Sequence, residues 1–118
     1  MNPANRYLTA LADNVTDWDA ALVRQAVLGV AYHRGGRVSA NDFRHVLPDV
    51  AQGAIGLTIR QLPTAKHGAL IRKATVHGHP ITEPSTAEST HGKPIQVWEL
   101  TSAGWGAARA LVEGQVAA

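Results

Sequence analysis

Histidine is the residue type in this chain best suited to metal chemistry, and three of the six histidines lie in one stretch. His77, His79 and His91 fall within residues 77–94, where Gly, Pro, Ser and Thr are frequent. A zinc site needs three or four ligands held in a fixed geometry, and the chain has no Cys to complete such a set. We therefore interpret these histidines as polar loop residues, and predict that the protein binds no metal and no cofactor.

The sequence also lacks the patterns that mark the common kinds of catalysis. The run Gly53-Ala54-Ile55-Gly56 is not followed by the Lys-Ser/Thr pair of a phosphate-binding loop. No nucleophile-elbow pattern marks a reactive serine, and no pair of carboxylates recurs at helical spacing. We predict that the protein is not an enzyme.

A different set of side chains, within residues 50–62, is suited to hydrogen bonding with a partner. The segment combines amide and guanidinium groups with glycines: Gln52, Gly53, Gly56, Arg60 and Gln61. Glycine costs a helix about 1 kcal/mol relative to Ala, so two glycines in one short helix require a reason. Close approach to a neighbour is the reason we favour. Two neighbours remain open: a DNA duplex, and another helix or partner protein.

Basic residues are concentrated in the middle of the chain. The formal net charge is only +2, but residues 34–73 contain seven Lys and Arg against two Asp. The remainder has four basic and seven acidic residues. A positive centre with acidic flanks suits a surface that faces a polyanion, although an unevenly charged solvated surface is the alternative. The candidate contacts outside the 50–62 segment are Arg37, Ser39, Arg44, Lys66, Arg72, Lys73 and Lys93.

Helices must position most of these side chains. Residues 3–13 predict a short helix, residues 14–17 a polar break, and residues 18–33 a second helix. Gly35-Gly36 is typical of a left-handed helix end. Residues 39–42 resemble a capping box with Asp in the place of Glu, which begins a helix over 40–47.

Pro48 ends that helix, and the next helix is predicted over residues 50–62. Phe43, Val46 and Leu47 are expected to dock the first of the two. The second is expected to dock through apolar residues at i, i+4 and i+7, namely Ile55, Ile59 and Leu62. This docking leaves the Gln/Arg/Gly side of residues 50–62 open.

The second half of the chain reads as a hairpin and a closing helix. Residues 69–76 predict a strand, residues 77–94 a long loop, and residues 95–100 a strand with alternating apolar side chains. A helix over 103–113 follows, capped by Thr101 or Ser102. Three helices followed by a two-stranded hairpin define a winged helix-turn-helix. The predicted fold class is therefore mainly α with a small β-hairpin (α+β), with extra N- and C-terminal helices.

Two stretches resemble winged-helix proteins. Residues 59–71 resemble the end of a recognition helix and the first wing strand. A Trp-x-Leu-Thr-x-x-Gly pattern resembles the second wing strand and closing helix of MarR-like and PadR-like regulators; it is formed by Trp98-Glu99-Leu100-Thr101-Ser102-Ala103-Gly104. Gly36-Arg37-Val38-Ser39-Ala40-Asn41-Asp42 and His91-Gly92-Lys93 are also similar to small winged-helix proteins of actinobacterial phages. The resemblance implies a DNA-associated role in phage regulation or replication.

We predict one domain over residues 1–118, with an N-terminal helix at 3–13, a core at 17–101 and a C-terminal helix at 102–114. No signal peptide or membrane span is evident in the sequence, and a cytoplasmic location without membrane association is expected. The expected partners are double-stranded DNA and a second copy of the chain, paired through the terminal helices.

The function predicted from the sequence is double-stranded DNA binding through a recognition helix at 50–62 and a basic wing at 77–94. The protein would act as a transcriptional regulator or as a phage replication or recombination accessory. The alternative is a winged-helix adaptor that binds protein and not DNA. Dependence of binding on salt separates the two.

Overall fold

The computed structural model describes the backbone of residues 3–117 and the side chains of residues 17–88 and 90–114. It is a mixed α+β fold of helices and short antiparallel strands, as predicted at that level. The helices are α1 (Pro3–His33), α2 (Ala40–Phe43), α3 (Ile55–Gln61) and α4 (Ser102–Ala117). Short 3-10 helical segments lie at Arg44–Val46, Asp49–Ala54, Ala65–His67 and Glu88–Thr90.

Helix α1 runs without interruption from Pro3 to His33, so the predicted break at residues 14–17 is wrong. The four residues include no Gly or Pro, and Asn, Thr and Asp each cost a helix only some tenths of a kcal/mol. The helix ends as predicted, with Gly35 and Gly36 at φ of 74° and 99°. The Gly36 N–H donates to the carbonyl of Ala31 at 2.8 Å, which closes the last turn.

The core is built around one stripe of α1. Val23, Val27, Leu28 and Ala31 are fully buried and fall at i, i+4, i+5 and i+8. They pack with buried residues of the later elements, which are Val38, Phe43, Leu47, Ala51, Ala54, Leu62, Leu70, Ile71, Leu100 and Ala108. Helix α1 is therefore the support on which both α3 and α4 are mounted.

The segment predicted as one helix over residues 40–47 is α-helical only to Phe43 and continues as a 3-10 turn to Val46. Phe43 and Leu47 are buried as expected, whereas Val46 is 55% exposed, so its predicted docking role is wrong. A 3-10 turn has three residues per turn where the α-helix has 3.6, and the tighter winding rotates Val46 away from the core.

The third helical segment likewise begins with a 3-10 segment at Asp49–Ala54 and becomes α-helical at Ile55. It docks on α1 through Ala51, Ala54, Thr58 and Leu62, which are all buried. Leu62 is buried, and Ile55 and Ile59 are half-buried and pack against the core, so all three predicted anchor residues contact it and Leu62 is the most buried of them. Small residues at 51 and 54 let the segment lie close to α1, and this sets its rotation.

A three-stranded sheet of order β1–β7–β2 covers one end of the helices, formed by β1 (Arg37–Val38), β7 (Trp98–Leu100) and β2 (Ile71–Lys73). Both pairings are antiparallel, and Glu99 of β7 lies opposite Arg37 on one side and Arg72 on the other. Alternation places Val38, Ile71 and Leu100 in the core.

The stretch predicted as a long loop over 77–94 is folded. Beyond β2 the chain forms two hairpins, β3 (Thr75–Val76) with β4 (His79–Pro80) and β5 (Thr82–Pro84) with β6 (Pro94–Gln96). We call residues 75–80 the short arm and residues 82–96 the long arm. Strands of two or three residues carry too few positions for a period-2 pattern, which is why the sequence reads as a loop.

The two arms and the sheet meet at Ala74, Ile81 and Val97, which we call the three-way junction. Their backbones form a closed ring: Ala74 N–H donates to Val97, Val97 N–H to Ile81, and Ile81 N–H to Ala74, at 2.8 to 3.0 Å. The Gln96 Nε2 lies 2.7 to 3.5 Å from the same three carbonyl oxygens. The junction thus satisfies buried backbone groups where three pairs of strands diverge.

Candidate nucleic-acid interface

The third helical segment has one side that no other described part of the chain covers. Gly53, Gly56, Leu57 and Arg60 are exposed along it, and Val50 is 71% exposed at its beginning. We call these five residues the open face. It lies opposite the buried Ala51, Ala54 and Thr58, and it contains Gly53, Gly56 and Arg60 of the side predicted to be open.

The two glycines of the open face have no packing role within the described part of the chain. A Cβ built on Gly53 or Gly56 meets no atom within 4 Å. Of the two neighbours left open by the sequence, a helix of this chain is therefore excluded for the described residues. What remains is a neighbour outside the chain, either nucleic acid or protein.

Arg60 is exposed at the C-terminal end of α3, where its Nε donates to the Gly56 carbonyl at 3.3 Å. The missing side chain at Gly56 leaves room for the arginine to lie along its own helix. The charged end of Arg60 is thus displayed beside the glycine surface.

Gln52 and Gln61, expected beside Arg60, are both directed elsewhere. The Gln52 amide donates to the carbonyls of Arg44 and Leu47, at 2.7 and 3.3 Å, and so joins the end of one helix to the beginning of the next. Gln61 is half-buried and lines a cleft against α1 together with Ala21 and Arg24. Neither lies on the open face.

Ser39 is buried, contrary to its place among the expected surface contacts. Its N–H donates to Asp42 at 2.8 Å, the return bond of the predicted capping box. Its hydroxyl donates to the Glu83 carboxylate of the long arm. The residue therefore connects α2 to the long arm.

Asn41 extends that connection and was not singled out by the sequence analysis. Its Oδ1 accepts from the Thr86 N–H at 2.8 Å and the Thr86 hydroxyl at 3.0 Å, and its Nδ2 donates to the Pro84 carbonyl at 2.9 Å. No local signal marks these contacts, because the partners are more than 40 residues apart in the chain. We call the contacts of Ser39 and Asn41 with residues 83–86 the brace.

Arg44 belongs to the same region. It is half-buried, its Nη1 donates to Asn41 Oδ1 at 3.4 Å, and its carbonyl accepts from Gln52. The structure thus places Arg44 between the brace and the 3-10 segment before α3, at the side of the open face and not on it.

Arg37 and Arg72 flank Glu99 on the exposed side of the sheet. Arg72 Nε donates to Glu99 Oε1 at 2.8 Å, and Arg37 Nε lies 3.9 Å from Oε2. Two cations share one carboxylate, so this row keeps a formal charge of +1. Exposed ion pairs of this kind contribute little to stability and leave the guanidinium groups accessible.

The predicted lysines are all exposed. Lys66 lies in the 3-10 turn after α3, Lys73 ends β2 at the foot of the short arm, and Lys93 lies on the long arm. None of the three forms an ion pair among the described side chains.

A shallow cleft of about 270 Å³ separates α3 from the three-way junction. It is lined mainly by apolar side chains: Ala40, Ile55, Gly56, Ile59, Ile95, Gln96 and Trp98. Gly56 therefore lies both on the open face and at the edge of this cleft, so the open face adjoins the long arm and β7 across it.

Two further observations concern other kinds of site. Within residues 17–88 and 90–114, no three His, Asp or Glu side chains are grouped so as to hold a metal ion. The helices described do not include one of the length and hydropathy required to cross a membrane.

The three tryptophans differ in their surroundings. Trp105 packs on Gly36 and meets the Tyr32 ring edge-on, with ring centroids 6.1 Å apart, and Trp98 lines the cleft. Trp18 of α1 is 69% exposed. The side chains of residues 3–16, on which the expected pairing of subunits partly depends, lie outside those described.

Comparison of the chain with protein-family models, curated proteins and solved structures found no significant match.

Proposed function

We propose that the protein binds double-stranded DNA, with the open face of the third helical segment in the major groove. The observation that carries the proposal is the pair of exposed glycines, Gly53 and Gly56, with nothing packed on either. Each weakens its helix, and no internal contact compensates for that within the described residues. A duplex that must approach the helix backbone closely supplies a reason for both.

The side chains beside the glycines suit the edges of bases. Arg60 can donate two hydrogen bonds to guanine O6 and N7, and Leu57, which is 41% exposed, suits the methyl group of thymine. Lys66 and Lys73, exposed at the two ends of the connection from α3 to the wing, suit phosphate.

The order of the elements supports a winged helix-turn-helix as the fold behind this function. Helix α1, β1, two helical segments, β2, the two arms, β7 and α4 follow one another. Strand β1 pairs with β7, and β7 pairs with β2, in the order β1–β7–β2. In this arrangement the third helical segment and the wing lie beside each other, as the cleft at Gly56 requires.

A protein partner is the second candidate, favoured by the exposed apolar side chains on and beside the open face. Val46 and Val50 are 55% and 71% exposed, and neither forms hydrogen bonds with DNA. A winged-helix adaptor would use these two residues with Leu57 as the centre of its interface.

Selection of bound sites from random duplex DNA tests the proposal. We expect the wild-type protein to enrich a defined sequence, and Arg60→Ala to lose about 1–3 kcal/mol of binding free energy together with preference at one base pair. Arg109→Ala is the matched control, because Arg109 is an exposed arginine on α4. No enriched sequence, or equal losses for the two variants, would reject DNA reading by α3.

A further inference from the structure

The wing divides into two arms with different surroundings. Every residue of the short arm, from Thr75 to Pro80, is exposed. Its turn consists of His77 at φ 50° and Gly78 at φ 80°, two successive left-handed residues as in a type I′ turn. The short arm is thus a tight two-stranded hairpin that extends from the three-way junction with all of its residues exposed.

The long arm is held against α2 by the brace. Asn41 makes three hydrogen bonds of 2.8 to 3.0 Å to Thr86 and Pro84, and Ser39 donates to Glu83. These contacts fix the strands of the long arm on the α2 side of the junction. The long arm therefore has a structural task that the short arm lacks.

Charge separates the two arms in the same way. The short arm contains no acidic residue and follows directly on Arg72 and Lys73, whereas the long arm contains Glu83 and Glu88 against one lysine, Lys93. A phosphate backbone attracts the first arrangement and repels the excess carboxylate of the second.

We propose that the short arm is the part of the wing that contacts the DNA backbone, and that the long arm instead positions α2. The inference rests on the proposed DNA-binding function. Lys73, at the foot of the short arm, contacts phosphate, and His79 donates a hydrogen bond beside it. Lys93 lies on the braced arm and contacts no DNA.

The test compares Lys73→Ala with Lys93→Ala on one selected duplex at several salt concentrations. Both lysines are exposed, and neither is ion-paired among the described side chains, so both variants should fold with unchanged melting temperature. Loss of one phosphate contact makes the negative slope of log K against log salt smaller in magnitude by about 0.9. We expect that change for Lys73→Ala, a wild-type slope for Lys93→Ala, and restoration by Lys73→Arg.

Each outcome decides the assignment. A reduced slope for Lys93→Ala, or an unchanged slope for Lys73→Ala, would overturn it while leaving DNA binding by α3 in place. If the wild-type protein binds no duplex even in dilute buffer, the proposed function fails, and the assignment of the short arm fails with it.

Discussion

Gly56 and Arg60 are four residues apart on α3, so they lie on the same side of the helix, one turn from each other. Arg60 Nε approaches the Gly56 carbonyl at 3.3 Å, and no atom of the described chain occupies the space where a Cβ of Gly56 would lie. The two residues together form a flat surface, without a protruding side chain at Gly56, that carries one cationic group. A partner backbone can come closer to such a surface than to any other part of α3.

Gly56→Ala separates the stability of the helix from its function. Alanine fits the open space and loses less backbone entropy on folding, so we expect the free energy of unfolding to rise by about 0.5–1 kcal/mol. The added methyl group should hold the duplex away from the helix, and affinity for a selected site should fall. Chemical denaturation and a binding titration measure the two effects.

Gly106→Ala is the control for that experiment. Gly106 is exposed in α4, and a Cβ there also meets no atom within 4 Å. This variant should gain similar stability and keep its affinity for DNA. If Gly56→Ala were to gain stability and bind DNA as well as the control, close approach at Gly56 would be excluded.

The exposure of individual polar residues could not be predicted from the sequence. Gln52 and Arg60 both carry donors suited to base edges, yet Gln52 donates to Arg44 and Leu47 within the fold and Arg60 is exposed. The residue type determines which hydrogen bonds a side chain can form. The rotation of its helix decides whether the side chain forms them within the protein or is exposed to a partner. The sequence could predict the chemistry of the open face, but not which of its polar residues belong to it.

The connection from β7 to α4 gives a structural reason for the Leu-Thr-x-x-Gly part of the sequence pattern at residues 100–104. Thr101 Oγ1 donates to the Ala69 carbonyl at 2.6 Å and accepts from the Gly104 N–H at 3.0 Å, which begins α4. A Cβ on Gly104 would lie 1.9 Å from the Leu70 carbonyl oxygen. The Leu-Thr-x-x-Gly part of the pattern thus describes a helix start that passes against the backbone preceding β2.

Gly104→Ala should therefore destabilise the protein, by about 2 kcal/mol or more, because backbone and not a flexible side chain occupies the space. Gly106→Ala, two residues further along the same helix, should stabilise it. Thermal or denaturant unfolding of the two variants gives opposite signs if the contact is as described. Equal effects would mean that α4 begins differently.

Helical elements were predictable to the extent that their ends carry chemical signals. Pro48 and the Gly35-Gly36 pair mark ends that the structure confirms, and α3 ends at Gln61, one residue before the predicted end. The 3-10 segment at Asp49–Ala54 has no such signal, because it follows from docking against α1. With this winding, Ala51 and Ala54 take buried positions against α1, and Ile55 and Ile59 pack at the edge of the core.

At the scale of the whole molecule, the two central helical segments, the sheet strands β2 and β7 and helix α4 could be predicted in their order, because their patterns are local, whereas the unbroken α1 and the four strands of the two arms could not. The packing of the two arms could not be predicted either. The ring of bonds at Ala74, Ile81 and Val97 and the brace at Asn41 join residues far apart in the chain. Contacts of that separation leave no trace in local periodicity.

The uneven charge of the molecule leads to a quantitative expectation for DNA binding. Four exposed cations lie on or beside the open face and the short arm, namely Arg60, Lys66, Arg72 and Lys73. Of these, Arg72 forms an ion pair with Glu99. If about three of them contact phosphate, log K should fall against log salt with a slope of about −3. If subunits pair and bind two half-sites, twice as many phosphates are contacted, and the slope should be about −5 to −6.

A titration of a selected duplex across salt concentrations, with the oligomeric state measured by sedimentation at each, distinguishes these cases. A monomer with the shallow slope supports a single half-site, and a dimer with the steep slope supports pairing of the terminal helices. An affinity that does not change with salt would contradict both. It would instead favour an apolar interface centred on Val46, Val50 and Leu57, because burial of such side chains releases no counterions.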